Sequence, residues 1–311
     1  MQEHSLRLGK VKQENRRTIS FSQRTPFLYV IGVGTSVAVN IALAKQSVMN
    51  GIDPLKVLSI PLLGAAMLLL MYLGIKGDLK SLNVKYFRYC LFAGLLGVSL
   101  PNLASNLALQ ELPASTFSVL LTLSPLFTLL LSIPFQRIGL SLRRITGIGI
   151  SFVAVMFVTI SPDFRLQEEG GIILIAISVP LFLAMGNIYR SRCYPTLASP
   201  IALATGVLCV QSLIWMPISI VIELESFSTI SFGSWLVLFS MSVNSAFSYF
   251  LTFRLQALTD GLGFSQVGNV VTVVGIGIGI LFFSEGLGYQ LMVALPLLFV
   301  GLAMTNKSAR N

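Results

Sequence analysis

The chain has 311 residues, of which 54% are hydrophobic and only 11% charged. A soluble domain carries about 25% charged residues, so this composition excludes a soluble globular protein and identifies an integral membrane protein. The net charge of +9 is spread along the whole chain, which excludes a single basic face for nucleic acid.

A helix needs about 20 apolar residues to cross the hydrocarbon core. Behind a basic tail over 1–26, such stretches fall at 27–46, 54–75, 86–109, 113–135 and 143–161. Five more follow at 171–192, 199–224, 232–256, 262–284 and 288–305, before a short tail over 306–311. Turn signals separate them at Asn50-Gly51-Ile52-Asp53-Pro54, Glu111-Leu112-Pro113, Ser161-Pro162-Asp163, Ser199-Pro200 and Asp260-Gly261. Unpaired backbone is not tolerated in lipid. The predicted fold is therefore an all-α polytopic membrane protein with ten transmembrane helices. The tail does not read as a cleavable signal, because its first apolar stretch is a full span with no small-residue cleavage site after it.

The second five spans look like a copy of the first five at a gapless offset of 147 residues. Asn40-Ile41 falls on Asn187-Ile188, Lys45 on Arg192, Phe117-Ser118 on Phe264-Ser265, and Phe152-Val153 on Phe299-Val300. Five is odd, so the two copies, 27–161 and 171–305, are expected to cross the bilayer in opposite directions. A 5+5 inverted repeat is a common plan of secondary transporters. Basic residues set the orientation. The first tail, the loops on its side and the C-terminus hold 18 of the 21 Lys and Arg, leaving Lys45, Lys56 and Arg165 for the other side. The positive-inside rule then places both termini in the cytoplasm.

Little in the chain carries reactive chemistry. Its only histidine, His4, is in the tail, and all twelve acids lie in tails, loops or helix ends. Cys90, Cys193 and Cys209 have no metal-ligand spacing, and an odd count argues against a disulfide framework. No catalytic residue, metal or cofactor is expected. The arginines and lysines also fall at the predicted span ends, so no buried cation is expected.

What remains inside the membrane is neutral and polar. Such side chains face a partner helix or a wet cavity. Asn102 and Asn106 sit one turn apart in the third span, behind Ser99. Pro101 frees the Gly97 carbonyl and is expected to kink the helix there. Asn244 and Tyr249 lie in the eighth span, and Gln266 and Asn269 at i,i+3 in the ninth. Asn40 and Asn187 are repeat mates. These eight residues are the candidate substrate-binding set, with interhelical hydrogen bonding as the structural alternative. Gly275, Gly277 and Gly279 predict close helix packing. Glu285 ends the ninth span and is expected to fix the turn that follows.

The stretch Ala108-Leu109-Gln110-Glu111-Leu112-Pro113-Ala114-Ser115, running to Leu123-Ser124-Pro125-Leu126-Phe127, resembles an EamA-type repeat of the drug/metabolite transporter superfamily. Residues 262–304, with Phe283-Ser284-Glu285-Gly286-Leu287, resemble the equivalent part of a second repeat. Asn40-Ile41-Ala42-Leu43-Ala44-Lys45, followed by Gly51-Ile52-Asp53-Pro54, fits the family's first helix and turn. There are departures. The proline kept as Pro125 has Thr272 as its counterpart, and Glu285 has Ile138. Ser59-Ile60-Pro61 stands where an arginine is often found. The resemblance implies export of a metabolite or amino acid through a central cavity lined mainly by helices 1, 3, 4, 6, 8 and 9.

The combined expectation is a plasma-membrane transporter, in the inner membrane if the source is bacterial. It would move a small polar or amphipathic metabolite outward by alternating access. A small-molecule substrate and the bilayer are the expected partners, and self-association is left open. A nucleotide-sugar or other anion exchanger is the near alternative. A scaffold or an intramembrane enzyme is the alternative from a different class.

Overall fold

The computed structural model describes residues 2–136, 142–159, 166–195, 197–223, 230–259, 261–286 and 288–307. The expected turn at Ser161-Pro162-Asp163, Asp260, Ile138, Leu287 and the loop cations Arg137, Arg165 and Arg310 lie outside them.

Among the described residues the regular structure is helical. We label the helices α1 (Gln2–Met49), α2 (Pro54–Ile75), α5 (Leu142–Thr159), α6 (Leu166–Cys193), α7 (Pro200–Glu223), α8 (Phe232–Leu258) and α10 (Tyr289–Lys307). The other three are interrupted: α3 comprises Phe87–Gly94 and Leu100–Glu111, α4 Ala114–Leu120 and Leu123–Gln136, and α9 Gly261–Ser265 and Val267–Phe283. Among the described residues, seven helices are long and apolar enough to cross a membrane: those within α1, α2, α3, α4, α6, α7 and α8. Val267–Phe283 and Met292–Gly301 are apolar but shorter.

Local chemistry explains the ends. Asp53 caps α2 by accepting the Leu55 amide at 2.7 Å, with Pro54 in the first turn, where its missing N–H is not needed. Gly51, at φ 78°, supplies the left-handed step before it. Ser231 caps α8 by accepting the Ser234 amide at 3.2 Å.

Packing between the halves is reciprocal. Helix α1 packs on α8 and α9, while α6 packs on α3 and α4. Helix α2 packs on α7 and α8, while α7 packs on α2 and α3. The remaining main pairs are α4 with α9 and α5 with α10. In lipid, helices associate through close fit more than through the hydrophobic effect, and small residues mark these crossings. A Cβ on Gly275 would run into the Ser118 side chain, and one on Gly279 would meet Ser115 and Glu285, whereas Gly277 has nothing within 4 Å. Of the three glycines expected to give close packing, two therefore make the seam between α9 and α4. Large apolar side chains such as Phe27, Met67, Val221 and Leu281 point outward, as a lipid-facing surface requires.

Candidate functional site

A cavity of about 160 Å³ lies where the two sets of helices meet. Helices α1, α3, α4, α6, α8 and α9 all line it, and α2 joins them through Val57, Leu58, Pro61 and Leu62. Its wall is mostly aliphatic, with a few polar groups set into it.

Five of the eight expected residues line this cavity: Asn40, Asn102, Asn106, Asn187 and Tyr249. Asn40 Oδ1 is buried with no hydrogen-bond partner among the described residues. Asn102 donates to the Tyr249 hydroxyl at 3.2 Å, and these two residues are 147 apart in sequence. Leu121 and Gly268, also 147 apart, meet where α4 and α9 touch. Asn106 is buried and donates to the Pro54 carbonyl at 3.2 Å, tying α3 to the start of α2. The other three are not among the lining residues. Asn244 donates to the Ser36 carbonyl at 2.8 Å and ties α8 to α1. Asn269 donates to Gln266 Oε1 at 2.9 Å, across the interruption in α9.

The kink expected at Pro101 takes a definite form. The helix opens into a π turn over Leu95–Ser99, immediately before the proline-containing segment. Ser99 turns away from the cavity and donates to Gln211 Oε1 of α7 at 2.6 Å. Gly97, inside the π turn, meets Gly186 of α6. A Cβ on Gly186 would lie 2.7 Å from the Gly97 Cα, so the two helices cross backbone against backbone.

The sequence had placed Arg190 among the helix-end cations. In the structure it is only 2% exposed, and it lines the cavity. The expectation of no buried cation is therefore corrected. Arg190 and Arg192 are two residues apart, which on a helix of 3.6 residues per turn is about 200°. They cannot share a face: Arg192 is exposed and Arg190 turns inward. The Arg190 guanidinium donates to Asn187 Oδ1 at 3.0 Å and lies 5.4 Å from the centre of the Phe264 ring. Its Nε is buried with no hydrogen-bond partner among the described residues. Gly97 makes the room, since a Cβ there would sit 2.6 Å from Nη1.

The charges near the Glu111–Pro113 turn behave differently. Lys45 Nζ donates to the carbonyls of Leu109 and Leu112, at 2.7 and 3.1 Å. Glu285 accepts the amides of Ala114 and Ser115, at 2.7 and 2.8 Å. Its own turn is closed by other means: Ser284 takes the left-handed conformation at φ 53°, and the Glu285 amide donates to the Gly279 carbonyl. Glu285 was expected to fix that turn. Its carboxylate instead caps the first turn of α4, in the other half of the chain. Thr272, the counterpart of Pro125, likewise reaches across, donating to the Ser118 carbonyl at 2.8 Å.

The model of the EamA-like transporter family matches residues 24–160. That family lies within the drug/metabolite transporter superfamily. The match begins within α1 and runs through α5, the part that contributes Lys45, Gly97, Asn102 and the Glu111–Pro113 turn. A comparison with curated proteins finds no match. A solved structure titled only as the crystal structure of a protein has a TM-score of 0.65 at 15% identity, over 90% of this chain and 98% of that one. At that identity the likeness concerns the fold.

Proposed function

We propose that the chain is a secondary transporter of the plasma membrane with ten crossings and both termini in the cytoplasm. It carries a small polar or amphipathic metabolite outward by alternating access between two inverted five-helix repeats. The observation that carries this reading is the cavity itself, because both halves of the chain wall it. If one half rocks against the other, the walls separate on one side of the membrane and close on the other.

The reciprocal packing supports the inverted repeat. So do the repeat mates that touch each other, Asn102 with Tyr249 and Leu121 with Gly268. Two residues related by a twofold axis meet only if they lie near it, and both of these pairs line the cavity. Size bears on the substrate. A cavity of about 150 Å³ is enough for benzene, so about 160 Å³ suits a solute of amino-acid size and not a nucleotide-sugar.

The test is counterflow in proteoliposomes. Vesicles loaded with each member of a panel of amino acids, nucleosides and sugars are assayed for exchange against the same labelled compound. Saturable exchange of an amino-acid-sized solute is expected. Absence of exchange across the panel, with protein folded in the vesicles, overturns the transporter reading for these solutes.

A further inference from the structure

Helices α2 and α8 run side by side in one register. A Cβ on Gly64 would run into the Ser242 side chain, and the Tyr72 and Phe250 rings meet edge to face with centres 6.3 Å apart. Both pairs are 178 residues apart in sequence. A constant offset means that the two helices point the same way and rise together, by about 1.5 Å per residue. One turn beyond the ring pair, the same offset places Lys76 level with Arg254. The two helices therefore bring two cations to one depth at the same end of the bundle.

Both of these side chains are exposed, and neither has a hydrogen bond or an ion pair among the described residues. The Arg254 guanidinium lies over the Phe250 ring, 4.8 Å from its centre. That contact aims the group without neutralising it. Asp78, the acid nearest to Lys76 in sequence, is exposed as well and stands beyond the left-handed turn at Gly77. Deeper along the same two helices the surface is apolar. Met71 and Ile75 of α2 are 58% and 79% exposed, and Val243 and Phe247 of α8 are 45% and 55% exposed. Each pair is one turn apart, so each makes a strip along its own helix.

Two outward apolar strips that end in two cations have the layout of a phospholipid, chains below and phosphate above. Packed helices lie about 8–10 Å apart, a gap that a lysine and an arginine can close on one phosphate. The charge selects the headgroup, because a zwitterionic lipid brings its own cation and an anionic one does not. On the topology proposed above, this end of α2 and α8 is cytoplasmic, the side where anionic lipid attracts basic residues. The positive-inside rule alone would account for cations scattered around the rim. It does not account for two at one level, beside a ring pair and at the top of two apolar strips.

We propose that the outer seam between α2 and α8 binds one anionic phospholipid, with its phosphate between Lys76 and Arg254 and its acyl chains along the two apolar strips. This site is separate from the cavity and does not depend on the transporter reading.

The experiment is native mass spectrometry of the purified, delipidated full-length protein, titrated in mixed micelles with phosphatidylglycerol or with phosphatidylcholine. The first phosphatidylglycerol is expected to bind at least about tenfold tighter than phosphatidylcholine, as two cations near a headgroup imply. Lys76→Gln and Arg254→Gln should each weaken it about fivefold, and the two together roughly twentyfold. The control is Lys85→Gln with Arg88→Gln, which removes two other exposed cations assigned to the same side. It should leave that first site within about twofold of the wild type. If the Lys76 and Arg254 double variant does not fold, the single variants decide. Equal losses in the two double variants would mean diffuse attraction to a basic rim and would overturn the proposal. Equal binding of the two lipids would overturn it as well. So would displacement of the lipid by soluble glycerol phosphate at equal concentration, since that would make the seam a simple anion site.

Discussion

The Glu111–Pro113 turn and the cavity wall hold charge in opposite ways. Around the Glu111–Pro113 turn, Lys45 takes the last carbonyls of α3 and Glu285 takes the first amides of α4. The positive side chain sits at a helix C-terminus and the negative one at a helix N-terminus, as the helix dipole favours. In the cavity, Arg190 has one neutral oxygen from Asn187 and a donor left over. A charge whose hydrogen bonds end on main chain fixes the fold. Arg190 has no such bond among the described residues, and it sits in the cavity wall.

The largest effects should come from the two facing glycines that seat Arg190. Gly97→Ala puts a methyl where the end of a flexible guanidinium lies, and Gly186→Ala puts one against main chain. Gly186→Ala is expected to lose about 1–3 kcal/mol of stability through overpacking, read as the yield of monodisperse protein and its thermal midpoint. Gly97→Ala should keep most of its folded protein but lose transport at least about tenfold, because the arginine moves instead of the helix. Equal loss of folded protein in both variants would erase the contrast between a seated side chain and a packed helix.

A smaller effect is expected at the other region. Glu285→Gln keeps one oxygen acceptor and loses the charge and one amide bond, so stability should fall by about 1.5 kcal/mol. The response of transport to a pH gradient, normalised to folded protein, should change little. A variant that folds fully but ignores the gradient would make Glu285 a coupling group and not a clamp.

The smallest effect concerns the bond between repeat mates. Asn102→Leu and Tyr249→Phe should each cost little, with a coupling of about 0.6 kcal/mol in a double-mutant cycle, typical of interhelical hydrogen bonds in membranes. Strictly additive losses would mean that this contact holds nothing together.

Some elements were readable because they are announced locally. Apolar length gives a span, and Asp53-Pro54 gives a helix start; the predicted 54–75 and the observed Pro54–Ile75 coincide. The polar candidates were only partly readable. Five line the cavity and three do not, because the direction of an asparagine in a bundle depends on which neighbour lies across from it. Asn244 found a main-chain carbonyl of α1, while Asn187 found an arginine on its own helix. The signal for Arg190 was present in the spacing of Arg190 and Arg192, about 200° apart on one helix. Reading it required knowing which face of α6 looks inward.

The sequence by itself determined that this is a helical membrane protein, that residues 24–160 resemble the EamA-like family, and where a helix such as α2 starts and stops. Those properties follow from hydropathy, turn chemistry and motif, all carried by neighbours along the chain. Only the tertiary structure decided that Glu285 clamps a helix in the other half, that Gly97 makes room for a guanidinium, and that Arg190 faces a cavity and not water. Each of these depends on residues about 90 or more positions apart brought within a few ångströms. Close packing of two helix sets creates that proximity, and no local pattern records it.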